Sequence, residues 1–382
     1  MIYLDWAATA IPKSKIIVES TKEALELFGN PSSSHKQGVY AKNVLEECRE
    51  RCGKLLGAES DSLYFTSGAS ESNSIAILSF LKRHSSGEII TTSIEHPSVL
   101  EPIYQLKKFG YKVHIINPKE SGLLNLKKLE KSINAQTKLI SIIYVHNETG
   151  VIQPISEIVS IIRKKELEFD RKIHIHLDGV QAVGKISVNI ESLNVDSFSI
   201  SGHKFGAPKG IGILYLRKSR EVLIKGGGQE RGIRPGTENL IQILSITNCL
   251  EDALINFENK YEELNRVMDR AISGVRSIGI NTIPKTRFLS DSNFVPNILS
   301  ITAPPIGGEV LARILDNDDI FISTGSACSN NKKSSTKGIL SMGITEDEGF
   351  SSFRISIGIT TKDNDIDLFL EKTKVALSKF TI

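Results

Sequence analysis

The segment VDSFSISGHK spans Val195–Lys204 and ends in a lysine. Its first six residues, half of them apolar, form a run that predicts a β-strand. A lysine held at the end of a buried strand can form a Schiff base with a carbonyl compound. Since most lysines are simply solvated, Lys204 predicts no function by itself.

A second strand is predicted upstream, at Lys172–Leu177. It ends in Asp178, and Gln181 follows three residues later. In open α/β sheets, ligands bind at the carboxyl ends of the strands, so these side chains and Lys204 are expected in one place. Pyridoxal phosphate requires a lysine for its aldehyde, an acid for its pyridine nitrogen and donors for its phosphate. The two segments therefore predict a site for this cofactor.

Two plainer interpretations of the aspartate have to be weighed. An aspartate at a strand end often caps a turn. His174, His176 and Asp178 also share one face of the predicted strand, as metal ligands would. The lysine segment favours the cofactor over both, with Asp178 pairing with the ring nitrogen and Gln181 with the phenolic oxygen. No metal site is predicted.

The phosphate donors are expected at a strand, glycine turn and helix within Leu63–Glu71. The first amides of that helix, those of Ala69 and Ser70, point at an anion. The run Gly226–Gly228 is similar to a nucleotide-binding loop, but it lacks the lysine spacing of a P-loop. The start of the helix is therefore the predicted phosphate site.

The composition is that of a globular protein with room for two domains. The chain has 382 residues, of which 40% are apolar and 24% charged, with a formal net charge of +3. So small a charge, without an arginine–aromatic stripe, argues against direct nucleic-acid binding. Four cysteines give no disulfide framework, and no apolar run approaches the roughly 20 residues of a membrane span. Without a leader pattern at the N-terminus, a soluble cytoplasmic protein is expected.

Helical stretches alternate with short β-rich runs from residue 41 to about 216. This alternation predicts an α/β fold with a mainly parallel sheet covered by helices. A long charged helix is expected over residues 250–275, followed by the short strands and helices of a smaller α+β domain. The predicted division is a large domain, residues 16–250, and a small domain made of residues 1–15 and 251–382.

The segment Ser323–Gly338 contains almost nothing apolar, which predicts a mobile loop. Cys328 lies on it with two lysines close behind, and nearby lysines can lower the pKa of a thiol. An isolated cysteine is most often a packing residue. We predict that role for Cys48 and Cys52, which are one helical turn apart, whereas the polar surroundings favour a reactive thiolate at Cys328.

Further motifs accompany the lysine segment in a fixed order. They are YLD at 3–5, GNPSS at 29–33, TSGA at 66–69, EH at 95–96, NETG at 147–150, GGGQERG at 226–232, GSAC at 325–328 and FR at 353–354. Together they resemble cysteine desulfurases of the NifS/IscS type, in the class V aminotransferase family of pyridoxal-phosphate enzymes. The resemblance extends from residue 3 to about residue 358, and so many ordered motifs argue against coincidence.

The resemblance implies a fold-type I transferase with a seven-stranded sheet in the large domain, acting as a homodimer with shared active sites. It implies that Lys204 holds the cofactor, that His96 stacks on the ring and moves protons, and that Arg354 binds the substrate carboxylate. The other implied cofactor contacts are Ala69, Ser70, Asn147, Asp178, Gln181, Ser201, His203 and, from the second subunit, Thr237. Asn147 would also contact the substrate. Without the resemblance, His96 is better explained as a core or capping residue.

The implied reaction removes sulfur from L-cysteine, giving L-alanine and a persulfide on Cys328. The sulfur would pass to an acceptor protein, such as a thiolation enzyme, a carrier or a scaffold, for tRNA thiolation or for iron–sulfur or other sulfur-cofactor synthesis. Since few residues follow Arg354, weak scaffold binding is expected. Gly179 departs from the alanine usual in the family.

Two alternative functions stay open at this point. Selenocysteine lyase or another class V reaction, such as transamination, would use the same lysine and aspartate. A non-catalytic binding partner with this fold is the other alternative. The presence of Lys204, Asp178, His96 and Cys328 in one chain argues against the second.

Overall fold

The structure is a computed structural model that describes residues 1–83, 86–324 and 335–380. The α-helices in these ranges are α1 (Ser14–Leu25), α2 (Lys36–Leu56), α3 (Ala69–Leu78), α4 (Phe80–Arg83), α5 (Pro97–Lys108), α6 (Leu126–Ser132), α7 (Ile155–Phe169), α8 (Leu240–Leu254), α9 (Phe257–Ser277), α10 (Gly308–Asp316), α11 (Ser335–Leu340), α12 (Glu346–Phe350) and α13 (Asp363–Ser378). The strands are β1 (Ile2–Tyr3), β2 (Leu63–Thr66), β3 (Gly87–Thr92), β4 (Tyr111–Ile116), β5 (Thr137–Ile143), β6 (His174–Asp178), β7 (Ser197–Ser201), β8 (Gly212–Leu216), β9 (Asn281–Ile283), β10 (Ile298–Thr302), β11 (Ile320–Phe321) and β12 (Ser352–Ser356). Among the described residues, no helix has the length and apolar character needed to cross a membrane.

The larger sheet has seven strands in the order β2-β8-β7-β6-β5-β3-β4. Strand β8 runs antiparallel to its neighbours β2 and β7, and the other pairings in this sheet are parallel. Six strands therefore end at the same edge of the sheet. The predicted α/β fold, with a mainly parallel seven-stranded sheet, is confirmed.

The central strands β6 and β7 are buried along their whole length. Both faces are buried although apolar residues such as Ile175 and Phe198 alternate with polar ones along the two strands. The two strands pair in parallel register, with Asp178 opposite Ser199. That register places Asp178, the last residue of β6, beside the end of the strand that leads to Lys204.

A second layer contains the antiparallel sheet β12-β10-β9 and the parallel pair β1-β11. Its hydrophobic core includes Leu4 from the N-terminal segment, Val267 from α9 and Phe369 from α13. This core is separate from the one around the large sheet. The N-terminal residues thus pack with the C-terminal part of the chain, although the domain boundaries at residues 15 and 250 remain a prediction.

The expected single helix over residues 250–275 is wrong. Helix α8 ends at Leu254, Ile255 is extended, and Asn256 adopts a left-handed conformation with φ 51° before α9 begins. Asparagine tolerates that conformation better than most residues. Since α8 packs in the first core and α9 in the second, the break lies where the chain passes between them.

Candidate active site

A cavity of about 480 Å³ lies at the edge where the parallel strands of the large sheet end. Among its lining residues are Ala69, Ser70, His96, Asn147, Asp178, Gln181, Ser201, His203, Lys204 and Arg354. The sequence predictions therefore named residues that meet in space. Thr237 is exposed and does not line this cavity within the single chain, and Cys328 lies outside the described residues.

Lys204 lies in a 3₁₀ turn, Gly202–Phe205, directly after β7. Its Nζ donates hydrogen bonds to the backbone oxygens of Ala7 and Ala8, each at 2.8 Å. A further bond, from the amide of Ala10 to the carbonyl of His203 at 3.0 Å, fixes the N-terminal segment along the turn. The N-terminal segment thus positions the amine, although the sequence predicted no such role for it.

Asp178 is buried, with 3% of its surface exposed, at the end of β6. Its Oδ1 accepts a bond from the amide of Val180 at 3.0 Å, and its Oδ2 accepts one from Nδ2 of Asn73 at 3.1 Å. A buried carboxylate in such fixed geometry is suited to pairing with a protonated ring nitrogen. Asn73, on α3, was not predicted.

The two histidines upstream of Asp178 contact protein groups. His174 and His176 both approach Oγ of Ser197, at 2.7 and 2.8 Å. Burial lowers the pKa of His176 to about 3, with a further lowering by the charge of Arg220. Within the described ranges, no three His, Cys, Asp or Glu residues form a group that could hold a metal ion.

Gln181 is held by bonds at both ends of its amide. Its Nε2 donates to the carbonyl of Ala7 at 2.9 Å, and its Oε1 accepts a bond from Nζ of Lys185. Lys185 is buried, and this burial, more than the nearby charges of Lys204 and Arg354, lowers its pKa well below the usual value. The bonds from Lys185 and to Ala7 fix which end of the amide is oxygen and which is nitrogen.

His96 precedes α5 and caps its N-terminus. Its Nδ1 accepts a hydrogen bond from the amide of Ser98 at 3.1 Å and lies 2.8 Å from Oγ of the same serine. Burial lowers the pKa of His96, although the carboxylate of Asp178 opposes that change and Lys204 reinforces it. The capping interpretation is confirmed. His96 also lines the cavity, where its functional role stays a prediction.

Arg354 is 8% exposed and lies on β12, so the second layer contributes this side chain to the cavity. Its Nη2 donates to Oδ1 of Asp5 at 2.7 Å, and its Nη1 donates to the carbonyl of Asn147 at 2.8 Å. Its Nε is buried without a partner among the described residues. Because a guanidinium has five N–H donors, it can bind a substrate carboxylate in addition to these partners.

The predicted phosphate site lies at the N-terminus of α3. Gly68, just before the helix, has φ 150°, a conformation that side chains disfavour. The backbone of β8 approaches so closely that a Cβ on Gly212 would lie 2.7 Å from Cα of Gly68. The first helical amides, from Ala69 onward, have no partner within the helix and are available to an anion.

His203 lines the same cavity, and its Nδ1 lies 3.2 Å from Oγ1 of Thr9. Burial lowers the pKa of its ring to about 4, and the charges of Lys204 and Lys209 contribute to the lowering. A neutral ring at neutral pH offers a hydrogen bond rather than a positive charge to a phosphate.

Gly179 lies against the ring of the buried Phe198. A Cβ at this position would lie 1.9 Å from Cζ of Phe198, which would force the ring to move. Glycine in place of alanine therefore leaves room for the Phe198 ring, and the polar groups of Asp178 stay in place.

The cysteines of the described residues do not offer a thiolate. Cys48, Cys52 and Cys249 are all buried. Burial raises the pKa of their thiols, to about 11, about 12 and about 11 respectively. The prediction that Cys48 and Cys52 are core residues is confirmed.

Comparison with known proteins finds a family, relatives and a solved structure that are similar to this chain. The family model described as "Aminotransferase class-V" matches residues 2–369. A protein of Clostridium botulinum named "Cysteine desulfurase IscS" is 34% identical over 377 residues, covering 97% of this chain and 92% of the relative. A protein of the same name from Dictyoglomus turgidum is 36% identical over 384 residues, covering 99% and 95%. A solved structure titled "NIFS-LIKE PROTEIN" is 33% identical, with a TM-score of 0.89 and 99% of both chains covered.

Proposed function

The chain belongs to the aminotransferase class-V family, and from this membership and the geometry of the cavity we propose that it is a pyridoxal-phosphate-dependent cysteine desulfurase. It takes sulfur from L-cysteine, leaves L-alanine and carries the sulfur as a persulfide on Cys328. The observation that carries the proposal is the meeting of Lys204, Asp178 and Arg354 in one cavity. An amine, a buried acid and a guanidinium are what an amino-acid substrate and this cofactor require.

The residues present fit pyridoxal phosphate. The amine of Lys204 would hold the aldehyde, and the buried carboxylate of Asp178 would face the ring nitrogen. The amides at the start of α3 would receive the phosphate, with Ser70, Ser201 and His203 nearby. The amide of Gln181 would bond the phenolic oxygen, and Asn147 would contact both cofactor and substrate. When bound, the cofactor supplies an electron sink for the negative charge that develops at Cα of the substrate.

The protein's own groups carry out the remaining steps. Arg354 binds the substrate carboxylate through donors that its bonds to Asp5 and Asn147 leave available. Lys204 then removes the proton from Cα, because its amine already lies in the cavity at the end of β7. Cys328 attacks the substrate sulfur as a thiolate, so that a sulfur–sulfur bond forms while the carbon–sulfur bond breaks.

The assignment of Cys328 as sulfur carrier is supported by the other three cysteines. Each of those is buried with a raised thiol pKa, so none of them is ionised near neutral pH. The sequence around Cys328 is polar and contains two lysines, conditions that favour the thiolate. The GSAC motif that contains Cys328 also supports this role, because it is one of the motifs that resemble those of cysteine desulfurases.

We also propose a homodimer in which Thr237 reaches the phosphate site of the second subunit. Thr237 is exposed in the single chain, which leaves it available to a partner. Large apolar side chains, including Phe28 and Ile224, are also exposed, and a second copy that covers them would gain stability. The sulfur acceptor is proposed to be a thiolation enzyme, a small carrier or a scaffold protein.

The function is tested with the purified chain, pyridoxal phosphate, L-cysteine and a reductant. Alanine and sulfide should form in equal amounts, and Lys204→Ala should lose both. The matched control is Lys172→Ala, because the Lys172 side chain is 88% exposed in the ion pair with Glu166. A keto acid in place of alanine would indicate transamination instead. Faster selenide release from selenocysteine than sulfide release from cysteine would indicate a selenocysteine lyase.

A further inference from the structure

His96 and Asp178 are connected by hydrogen bonds through two side chains, Asn73 and Ser98. Nδ2 of Asn73 lies 3.1 Å from Oδ2 of Asp178 and 2.9 Å from Oγ of Ser98. The serine Oγ lies in turn 2.8 Å from Nδ1 of His96. Asn73 is fully buried, so its amide has no water to turn towards. The two polar groups of the cavity therefore share one buried support.

The direction of the bonds around Asn73 follows from its neighbours. A carboxylate only accepts, so the nitrogen of the Asn73 amide faces Asp178 and donates to both Asp178 and Ser98. The amide oxygen of Asn73 lies 3.0 Å from Nε2 of His176, which must be its donor. The remaining nitrogen of His176 accepts from Ser197, and the low pKa of His176, about 3, keeps the ring in this neutral form.

The direction at His96 follows in the same way. The backbone amide of Ser98 donates to Nδ1 of His96 at 3.1 Å, so this nitrogen carries a lone pair. Oγ of Ser98, which accepts from Asn73, must therefore direct its own proton to Nδ1. Two donors converging on Nδ1 require a lone pair there, so the proton of the neutral ring resides on Nε2.

We propose that Asn73 and Ser98 hold His96 as the Nε2–H tautomer, which makes His96 a hydrogen-bond donor to the substrate rather than a proton acceptor. To accept a proton at Nε2, the ring would first have to move its proton to Nδ1 and lose both bonds from Ser98. A neutral histidine that acts through its N–H group is an established catalytic device. Removal of the Cα proton is then left to Lys204.

The role of His96 towards the substrate rests on the proposed function, but its tautomer does not. His96 is the catalytic residue in this proposal, and Asn73 and Ser98 act through it as positioning residues. The predicted tautomer is a property of the resting enzyme and can be measured without turnover. A failure of the desulfurase activity and a failure of this inference are therefore separate results.

Nitrogen NMR of the holoenzyme labelled with ¹⁵N-histidine reads the tautomer directly. The chain has eight histidines, and His96→Gln identifies the signals of His96 by their loss. We expect Nδ1 in the range of an unprotonated ring nitrogen and Nε2 in the protonated range, at neutral pH. A protonated Nδ1 and unprotonated Nε2 in the wild type would overturn the inference.

Variants of the serine test its positioning role. Ser98→Ala should shift the Nδ1 signal towards the protonated range, because one of its two donors is lost. Ser245→Ala is the matched control, since within the described part of the chain that buried hydroxyl bonds only a carbonyl of its own helix α8, at 2.7 Å. Nδ1 signals that were identical in wild type and Ser98→Ala would contradict the assignment.

Kinetics of two His96 variants separate donor from acceptor. A glutamine side chain can place an amide N–H near the position of Nε2, but its nitrogen cannot accept a proton. The kcat/KM of His96→Gln should therefore be roughly tenfold or more above that of His96→Ala, because His96→Ala loses one preorganised donor. Equal values for the two variants would show that proton acceptance was the property lost.

Discussion

Arg354 donates a hydrogen bond from Nη2 to Oδ1 of Asp5 at 2.7 Å, which connects β12 to the N-terminal segment. Two residues further along, the same segment provides the carbonyls of Ala7 and Ala8 that bind Nζ of Lys204. The groups proposed to bind the substrate carboxylate and to hold the cofactor are thus positioned by one short stretch of chain.

Arg354→Lys should raise KM for L-cysteine by about tenfold or more, with a much smaller change in kcat. Lysine keeps the positive charge but loses the planar fork that binds a carboxylate with two bonds, a loss of about 1.4 kcal/mol or more. Arg270→Lys is the matched control, because Arg270 forms a two-bond pair with Asp367 on α9 and α13, away from the cavity. An unchanged KM in steady-state assays would remove Arg354 from the substrate site.

Glu95→Gln should change how stability depends on pH. Burial raises the pKa of Glu95 from 4.5 to about 8, with the charge of Asp178 as a lesser cause. Between those two values the folded state holds a proton that the unfolded state has released, so the free energy of unfolding falls by about 1.4 kcal/mol per pH unit. The contribution is fully present below pH 4.5 and is lost once the pH passes about 8.

Urea unfolding at pH values of about 5, 6.5 and 8, which lie within the window between the two pKa values, measures this difference. The wild type should lose stability relative to Glu95→Gln as the pH rises. Glu157→Gln, on the exposed side of α7, should follow the wild type. Parallel curves for wild type and Glu95→Gln would show that Glu95 is ionised in the folded protein.

Heterodimers of two inactive variants test the shared active site. Lys204→Ala disables the site of its own chain, and Thr237→Arg should block the phosphate site of the partner. A mixed dimer then contains one site with an intact Lys204 and an intact Thr237. Verified heterodimers should therefore recover activity, whereas either variant alone stays inactive. Heterodimers without activity would contradict the proposed position of Thr237.

The strands and the cavity were accessible from the sequence because they depend on local patterns. Polar and apolar residues alternate along β6 and β7, both strands end in a polar residue, and parallel strands bring those ends to one edge. That reasoning is sufficient to place Asp178, Gln181 and Lys204 together. The resemblance added His96 and also Arg354, whose strand belongs to a different sheet.

The remaining features depend on contacts between distant parts of the chain. No local pattern indicates that Asn73 will lie between Asp178 and Ser98, because Asn73 follows β2, Ser98 follows β3 and Asp178 ends β6. The carbonyls of Ala7 and Ala8 carry no side-chain signal for their bonds to Lys204. The break between α8 and α9 was missed because the helical pattern continues across it while the packing partner changes.

Mass spectrometry of the protein after exposure to L-cysteine, without reductant, tests the central claim most directly. The wild type should gain the mass of one or more sulfur atoms on the peptide that contains Cys328, and little on those with Cys48, Cys52 or Cys249. Cys328→Ser should still bind L-cysteine and change the absorbance of the bound cofactor, but it should accumulate neither alanine nor added sulfur. Normal turnover by Cys328→Ser, or sulfur added mainly to another cysteine, would contradict the account.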